Sequence, residues 1–144
     1  MKTVKQLLDT KGSLVLSVSP TATVFEALGI MAEKQVGALL VMHGNHLVGI
    51  FSERDYARGI ALKGKTSRDT SVADIMTPEA RLITVTPERT VDDCINLMSD
   101  KRIRHLPVLD NGKVVGVLSI GDLVKAIIEH QQFLIQQLES YIRT

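Results

Sequence analysis

Two stretches of this 144-residue chain carry the same polar pattern, Gly49-Ile50-Phe51-Ser52-Glu53-Arg54-Asp55 and Gly116-Val117-Leu118-Ser119-Ile120-Gly121-Asp122. Each reads Gly-apolar-apolar-Ser-x-x-Asp where a strand pattern gives way to a helical one. The simplest role is structural, because Ser-x-x-Asp is close to a capping box, with the hydroxyl capping and the acidic side chain answering. That role does not explain why Asp recurs rather than Glu or Gln. Nor does it explain a Gly three residues before each Ser, which permits close backbone approach. The alternative is recognition of a cis-diol. A carboxylate accepts hydrogen bonds from both hydroxyls of a ribose, and a short Asp at a helix start is held to do so. The Ser hydroxyl and the open N–H groups of the helix start would suit a phosphate or ribose oxygen.

Positive charge lies near both junctions. Arg54 is inside the first, Arg58 is one helical turn beyond it, and Lys101, Arg102, Arg104 and His105 precede Leu106-Pro107-Val108. Such residues are ordinarily solvated; together they could neutralise a phosphate, with Arg54 and Arg104 offering forked donors. The four histidines, His43, His46, His105 and His130, have no metal-binding spacing with carboxylates or cysteine, so no metal is expected. No catalytic residue is expected either. Cys94 falls on the apolar side of a helical pattern and reads as core, and Asp92-Asp93 as an acidic first helical turn. Gly-x-Ser-x-Gly, Walker and Rossmann patterns are all missing from the sequence.

These residues sit in a duplicated frame. Sliding the sequence by 67 residues lays Val18-Ser19-Pro20 on Val85-Thr86-Pro87, Thr23-Val24 on Thr90-Val91, Met31 on Met98, and Asp55 on Asp122. From Val18 to Tyr56, 12 of 39 aligned positions are identical without a gap, where chance gives about two or three. Each copy reads as β-α-β-β-α. A short strand (14–18; 81–85) runs to a Ser/Thr-Pro turn, and Thr23 or Thr90 stands as N-cap before a helix. A hairpin follows (38–42 with 47–51; 106–109 with 114–118), turning at His43-Gly44-Asn45 and Asp110-Asn111-Gly112. A last helix starts after Ser52 or Ser119. The expected division is an arm at 1–13, repeats at 14–64 and 81–128, a connecting loop and short helix at 65–80, and a helical extension at 129–144. A unit this small cannot bury its faces alone, so a pseudo-two-fold pair is expected, with small-molecule clefts where the copies meet.

Composition sets the limits. With 17 basic and 16 acidic residues, bulk attraction to nucleic acid or a membrane surface is excluded. At 3% aromatics, stacking platforms for single strands are absent too. No apolar run reaches a membrane span, and one cysteine forbids an internal disulfide, so a reducing, cytoplasmic setting is expected. The final helical pattern, from Asp122 to about Ile142, carries a stripe of Leu123, Ile127, Leu134, Leu138 and Tyr141, widened by Ile128, Ile135 and Ile142. It could pack on its own segment Val4–Leu8, but it outruns the repeated core, which favours self-association.

At Arg104-His105-Leu106-Pro107-Val108, at the two Gly-x-x-Ser-x-x-Asp junctions and at Phe51-Ser52-Glu53-Arg54-Asp55-Tyr56-Ala57-Arg58, the chain resembles cystathionine β-synthase (CBS) domains in tandem, a Bateman module. The resemblance implies an α+β fold of two CBS repeats. It also implies clefts for adenosine compounds such as AMP, ADP, ATP, NAD or S-adenosyl derivatives. Carried over, Ser52, Asp55, Ser119 and Asp122 would hold ribose, and Arg54, Arg58, Arg104 and His105 phosphate. Gly37, Ala38, Leu106 and Pro107 would line the base. Gly37-Ala38-Leu39-Leu40 stands where the second copy has Arg104-His105-Leu106-Pro107, so unequal sites are expected. The function expected is a homodimeric, non-enzymatic nucleotide sensor. The alternatives are a ligand-independent interaction or scaffold protein, and, with least support, an enzyme acting on nucleotides.

Overall fold

The computed structural model describes residues 2–143; Met1 and Thr144, the ends of the expected arm and extension, lie outside the described residues. In chain order the elements are α1 (Val4–Lys11), β1 (Ser17–Val18), α2 (Val24–Lys34), β2 (Ala38–His43), β3 (His46–Ser52), α3 (Glu53–Tyr56), α4 (Val72–Ile75), β4 (Thr77–Pro78), α5 (Val91–Lys101), β5 (His105–Asp110), β6 (Lys113–Ser119) and α6 (Ile120–Arg143). A π-helical turn, Ala57–Ala61, prolongs α3. Two compact units result: Val15–Ile83, and Met1–Leu14 joined with Thr84–Thr144.

In the first unit the sheet runs β1-β2-β3-β4, with β1 parallel to β2 and the other pairs antiparallel. Thr23 caps α2 by accepting the Glu26 N–H at 3.1 Å, as its type and position predict. Val24, Ala27 and Met31, at helical spacing, are buried in a core with Leu39, Val41 and Phe51. α2 ends on Gln35 in the left-handed region, and β2 carries a bulge between Val41 and Met42.

The second unit has a two-stranded antiparallel sheet, β5-β6, and repeats the caps and turns of the first. Thr90 and Asp93 form a reciprocal capping box on α5, and Val91, Cys94 and Met98 are buried. Arg102 takes the left-handed position of Gln35, and the bulge recurs between Val108 and Leu109. Burial pushes the Cys94 thiol up to about 11, as expected of a core cysteine.

The first strands differ from expectation. Pairing at 14–18 is confined to Ser17–Val18, and at 81–85 to a bridge from Val85 to Val108. The reason is Pro107. In the first unit Leu40 donates its N–H to the Leu16 carbonyl at 3.2 Å. Pro107 stands at that aligned position and has no N–H, so the corresponding rung cannot form.

An equivalence absent from the sequence reading links the segments 2–8 and 70–76. Val4 N–H donates to the Arg89 carbonyl and Lys5 N–H to that of Pro87, while Val91 N–H donates to Lys2. In the first unit Val72 N–H donates to Ala22, Ala73 N–H to Pro20, and Val24 N–H to Thr70. The segment leading into each copy in sequence thus folds onto the other copy's unit, Leu8 over Gly116 and Met76 over Gly49. Those two glycines admit the backbone's own covering side chains. An added Cβ would lie 2.7 Å from Leu8 Cδ2 at Gly116, and 2.6 Å from Met76 Sδ at Gly49.

α6 begins inside the core, with Leu123 and Ala126 buried, and then leaves it. Its apolar residues Ile128, Phe133, Leu134, Ile135, Leu138 and Ile142 are exposed. α1 does not cover them; its own buried residues are Val4, Leu7 and Leu8.

Candidate functional site

Both Ser-x-x-Asp junctions are capping boxes. Ser52 N–H and its hydroxyl donate to Asp55 Oδ2 at 2.9 and 3.1 Å, and Asp55 N–H donates back to Ser52 Oγ at 3.4 Å. Ser119 N–H donates to Asp122 Oδ2 at 2.8 Å, and Asp122 N–H to Ser119 Oγ at 3.2 Å. The structural role is therefore real. It also ties each half-buried carboxylate to the start of its helix at a strand–helix turn.

Each junction gathers the neighbouring expected residues of its own unit. Glu53 N–H donates to the Gly37 carbonyl at 3.1 Å and Ile120 N–H to that of Arg104 at 2.9 Å, so the start of β2 or β5 is tied to the helix start. Ala38 pairs with Ser52, and His105 with Ser119. An open depression of about 400 Å³ between the end of α2 and this turn is lined by Leu28, Met31, Gln35, Val36, Gly37 and Glu53.

The CBS domain family pattern matches residues 13–62 and 72–129. The chain belongs to the CBS-domain family. Its two matched stretches are the two repeats, so the tandem CBS pair and its α+β fold stand as established. The chain is 44% identical over 124 residues to a CBS domain-containing mitochondrial protein, CBSX3, of Arabidopsis thaliana; the match covers 84% of this chain and 60% of that one. The crystal structure of the CBS domain NE2398 is 50% identical at a TM-score of 0.84, covering 88% of this chain and 98% of that one. The CBS pair of MJ0100, solved with 5′-methylthioadenosine and S-adenosyl-L-methionine, has a TM-score of 0.78, with 90% and 98% covered. At 24% identity it shares the fold.

Within each CBS repeat the expected site residues divide by exposure. Arg54, Arg58 and Arg104 are exposed; His105, Gly37 and Ala38 are half-buried; Leu106 and Pro107 are buried. His46, the first residue of β3, bonds the Glu79 carboxylate at 2.6 Å. Among the described residues no group of three His, Cys, Asp or Glu could hold a metal ion, and no helix is long and apolar enough to cross a membrane.

The two carboxylates differ electrically. Burial raises the Asp55 pKa above its ordinary value, and the Ser52 donors with the charges of Arg58 and Arg81 offset only part of that. At Asp122 burial acts in the same direction and is the largest single influence. There the Ser119 N–H, Lys11 and the Ser119 hydroxyl together outweigh it and hold the carboxyl below its ordinary value. Lys11 Nζ lies 3.0 Å from Asp122 Oδ2 and also donates to the Val117 carbonyl at 2.9 Å. Neither Lys11 nor Arg81, the latter expected only as the start of a strand, is among the site residues expected from sequence. Both lie far in sequence from the carboxylates they act on, outside the 67-residue alignment.

Proposed function

We propose that this chain is a non-enzymatic regulatory module that senses an adenosine nucleotide, AMP, ADP, ATP or NAD. The observation that carries the reading is the junction itself. A carboxylate anchored by its own serine stands beside that serine's hydroxyl at one strand–helix turn in each CBS repeat, with the charges of Arg58 and Arg81 acting on the first and Lys11 paired with the second. In this reading Asp55 and Asp122, with Ser52 and Ser119, take the ribose. Arg54, Arg58, Arg104 and His105 take phosphate, and Gly37, Ala38, Leu106 and Pro107 border the base. A ligand would act by favouring one arrangement of the repeats over another. The adenosine compounds in the MJ0100 pair support this choice of ligand class. A reducing, cytoplasmic setting fits the lone buried cysteine.

Calorimetric titration with AMP, ATP and NAD tests the reading. Saturable binding by at least one is expected, with loss on Asp55→Ala; absence of binding by all three at millimolar concentration overturns it.

One observation favours a second reading, an interaction or scaffold protein working as a homodimer. It is the exposed apolar stripe of α6. Light scattering is expected to give twice the chain mass, and Ile135→Glu with Leu138→Glu to give a monomer. Should Asp55→Ala and Asp122→Ala leave stabilisation by ligand unchanged, the scaffold reading replaces the sensor.

A further inference from the structure

The two covering segments start alike and end differently, and the difference falls on the candidate site. Thr3-Val4-x-x-Leu7-Leu8 corresponds to Ser71-Val72-x-x-Ile75-Met76 in backbone hydrogen bonding. After Met76 come Thr77 and Pro78. Proline disfavours helix in the residue before it and cannot donate within one, so α4 stops at Ile75 and the chain leaves as β4. After Leu8 no proline intervenes, and α1 runs another turn through Asp9 and Thr10 to Lys11. It stops there because Gly12, at φ +93°, turns the chain away. That extra turn delivers the Lys11 ammonium to Asp122; in the first CBS repeat no ion pair of this kind is made to Asp55 among the described residues.

We propose that Lys11 is a tethered competitor that closes the second CBS repeat's carboxylate to ligand, leaving Asp55 as the primary anchor. The proposal rests on the nucleotide reading above and adds which site is open and what holds the other shut. The ammonium sits on the oxygen that Ser119 also bonds, neutralises the charge a diol would meet, and is tied from its other side to the Val117 carbonyl. The lock is reversible. Lys11 and Asp122 side chains keep 30% and 25% of their exposure, and ion pairs still in touch with water are weak enough for a ligand to displace. The anchor of the lock is α1, fixed by Leu8 over Gly116 and by its own capping box from Thr3 and Gln6.

Titration of AMP into the full chain and into Lys11→Met tests this. The wild type is expected to bind one equivalent per chain in the accessible range. Lys11→Met, which keeps length and loses charge, is expected to add a second, tighter by up to about fivefold than any second event in the wild type. Asp122→Asn in that background should remove it, and Lys11→Arg should behave as wild type. An unchanged stoichiometry and affinity in Lys11→Met overturns this inference alone, as does weaker binding, which would make Lys11 a ligand contact. No heat from the wild type or any variant overturns the nucleotide reading and this inference with it.

Discussion

Asp55 and Asp122 occupy the same place in the same turn, yet the first has its carboxyl pushed up by burial and the second has it held down with help from a lysine. Much of the backbone frame around the turn is duplicated: the threonine caps, the left-handed residues Gln35 and Arg102, the bulges, and the glycines beneath the covering segments. The divergence comes from outside the repeat, from whether a covering helix ends at a proline or runs one turn further. The two carboxylates are thus set apart by remote chain, in addition to the difference between Gly37-Ala38 and Arg104-His105 inside the repeats.

The comparison can be broken most forcefully at the glycines. Gly49→Ala would place a Cβ 2.7 Å from the Thr77 carbonyl oxygen, a backbone atom, whereas Gly116→Ala meets only the Leu8 side chain. Gly49→Ala is therefore expected to lose about 2–3 kcal/mol, in the range of overpacked cores. Gly116→Ala should lose less, and Leu8→Val should relieve part of that loss. Equal losses in urea unfolding would mean that the two covers are equally rigid.

A smaller effect separates the caps. Thr90 has both halves of its box, with Asp93 answering, while Thr23 makes only the forward bond. Thr90→Ala is expected to cost about 1 kcal/mol and Thr23→Ala somewhat less, measured by thermal unfolding.

The smallest effect is the one of opposite sign. Because Asp55 has a folded pKa above its ordinary 3.8, its ionisation opposes folding at neutral pH, and that opposition fades as pH falls through the folded value. Asp122, with a depressed value, supports folding above its ordinary 3.8 and loses that support as pH falls through the folded value. Asp55→Asn should accordingly raise the melting temperature at pH 7 and Asp122→Asn lower it, with both differences shrinking toward pH 3. Shifts of the same sign would contradict the opposite electrical settings of the two carboxylates.

Much of this was legible beforehand. Pro20 and Pro87, Thr23 and Thr90, Gly49 and Gly116 hold one register at 67 residues, and each marks a position where backbone geometry restricts the side chain. The hairpins and both Ser-x-x-Asp turns follow from local chemistry. The shortened first strand of the second CBS repeat was readable in principle from Pro107, since a missing N–H is a property of one residue. The covering segments were not. Their match runs at 68 rather than 67, and rests on substitutions such as Leu7 for Ile75 and Leu8 for Met76. The place where Lys11 docks depends on tertiary packing with residues more than a hundred positions away. The acidic–serine turns could be read as cap or site, and capping is now seen to be the means of positioning rather than a rival explanation.

The most direct test is a crystal structure of the chain grown with AMP. The account predicts nucleotide density with the ribose hydroxyls on the Asp55 carboxylate and the Lys11–Asp122 pair intact. Nucleotide on Asp122 with Lys11 displaced and Asp55 bare, or no nucleotide at either carboxylate, would contradict it.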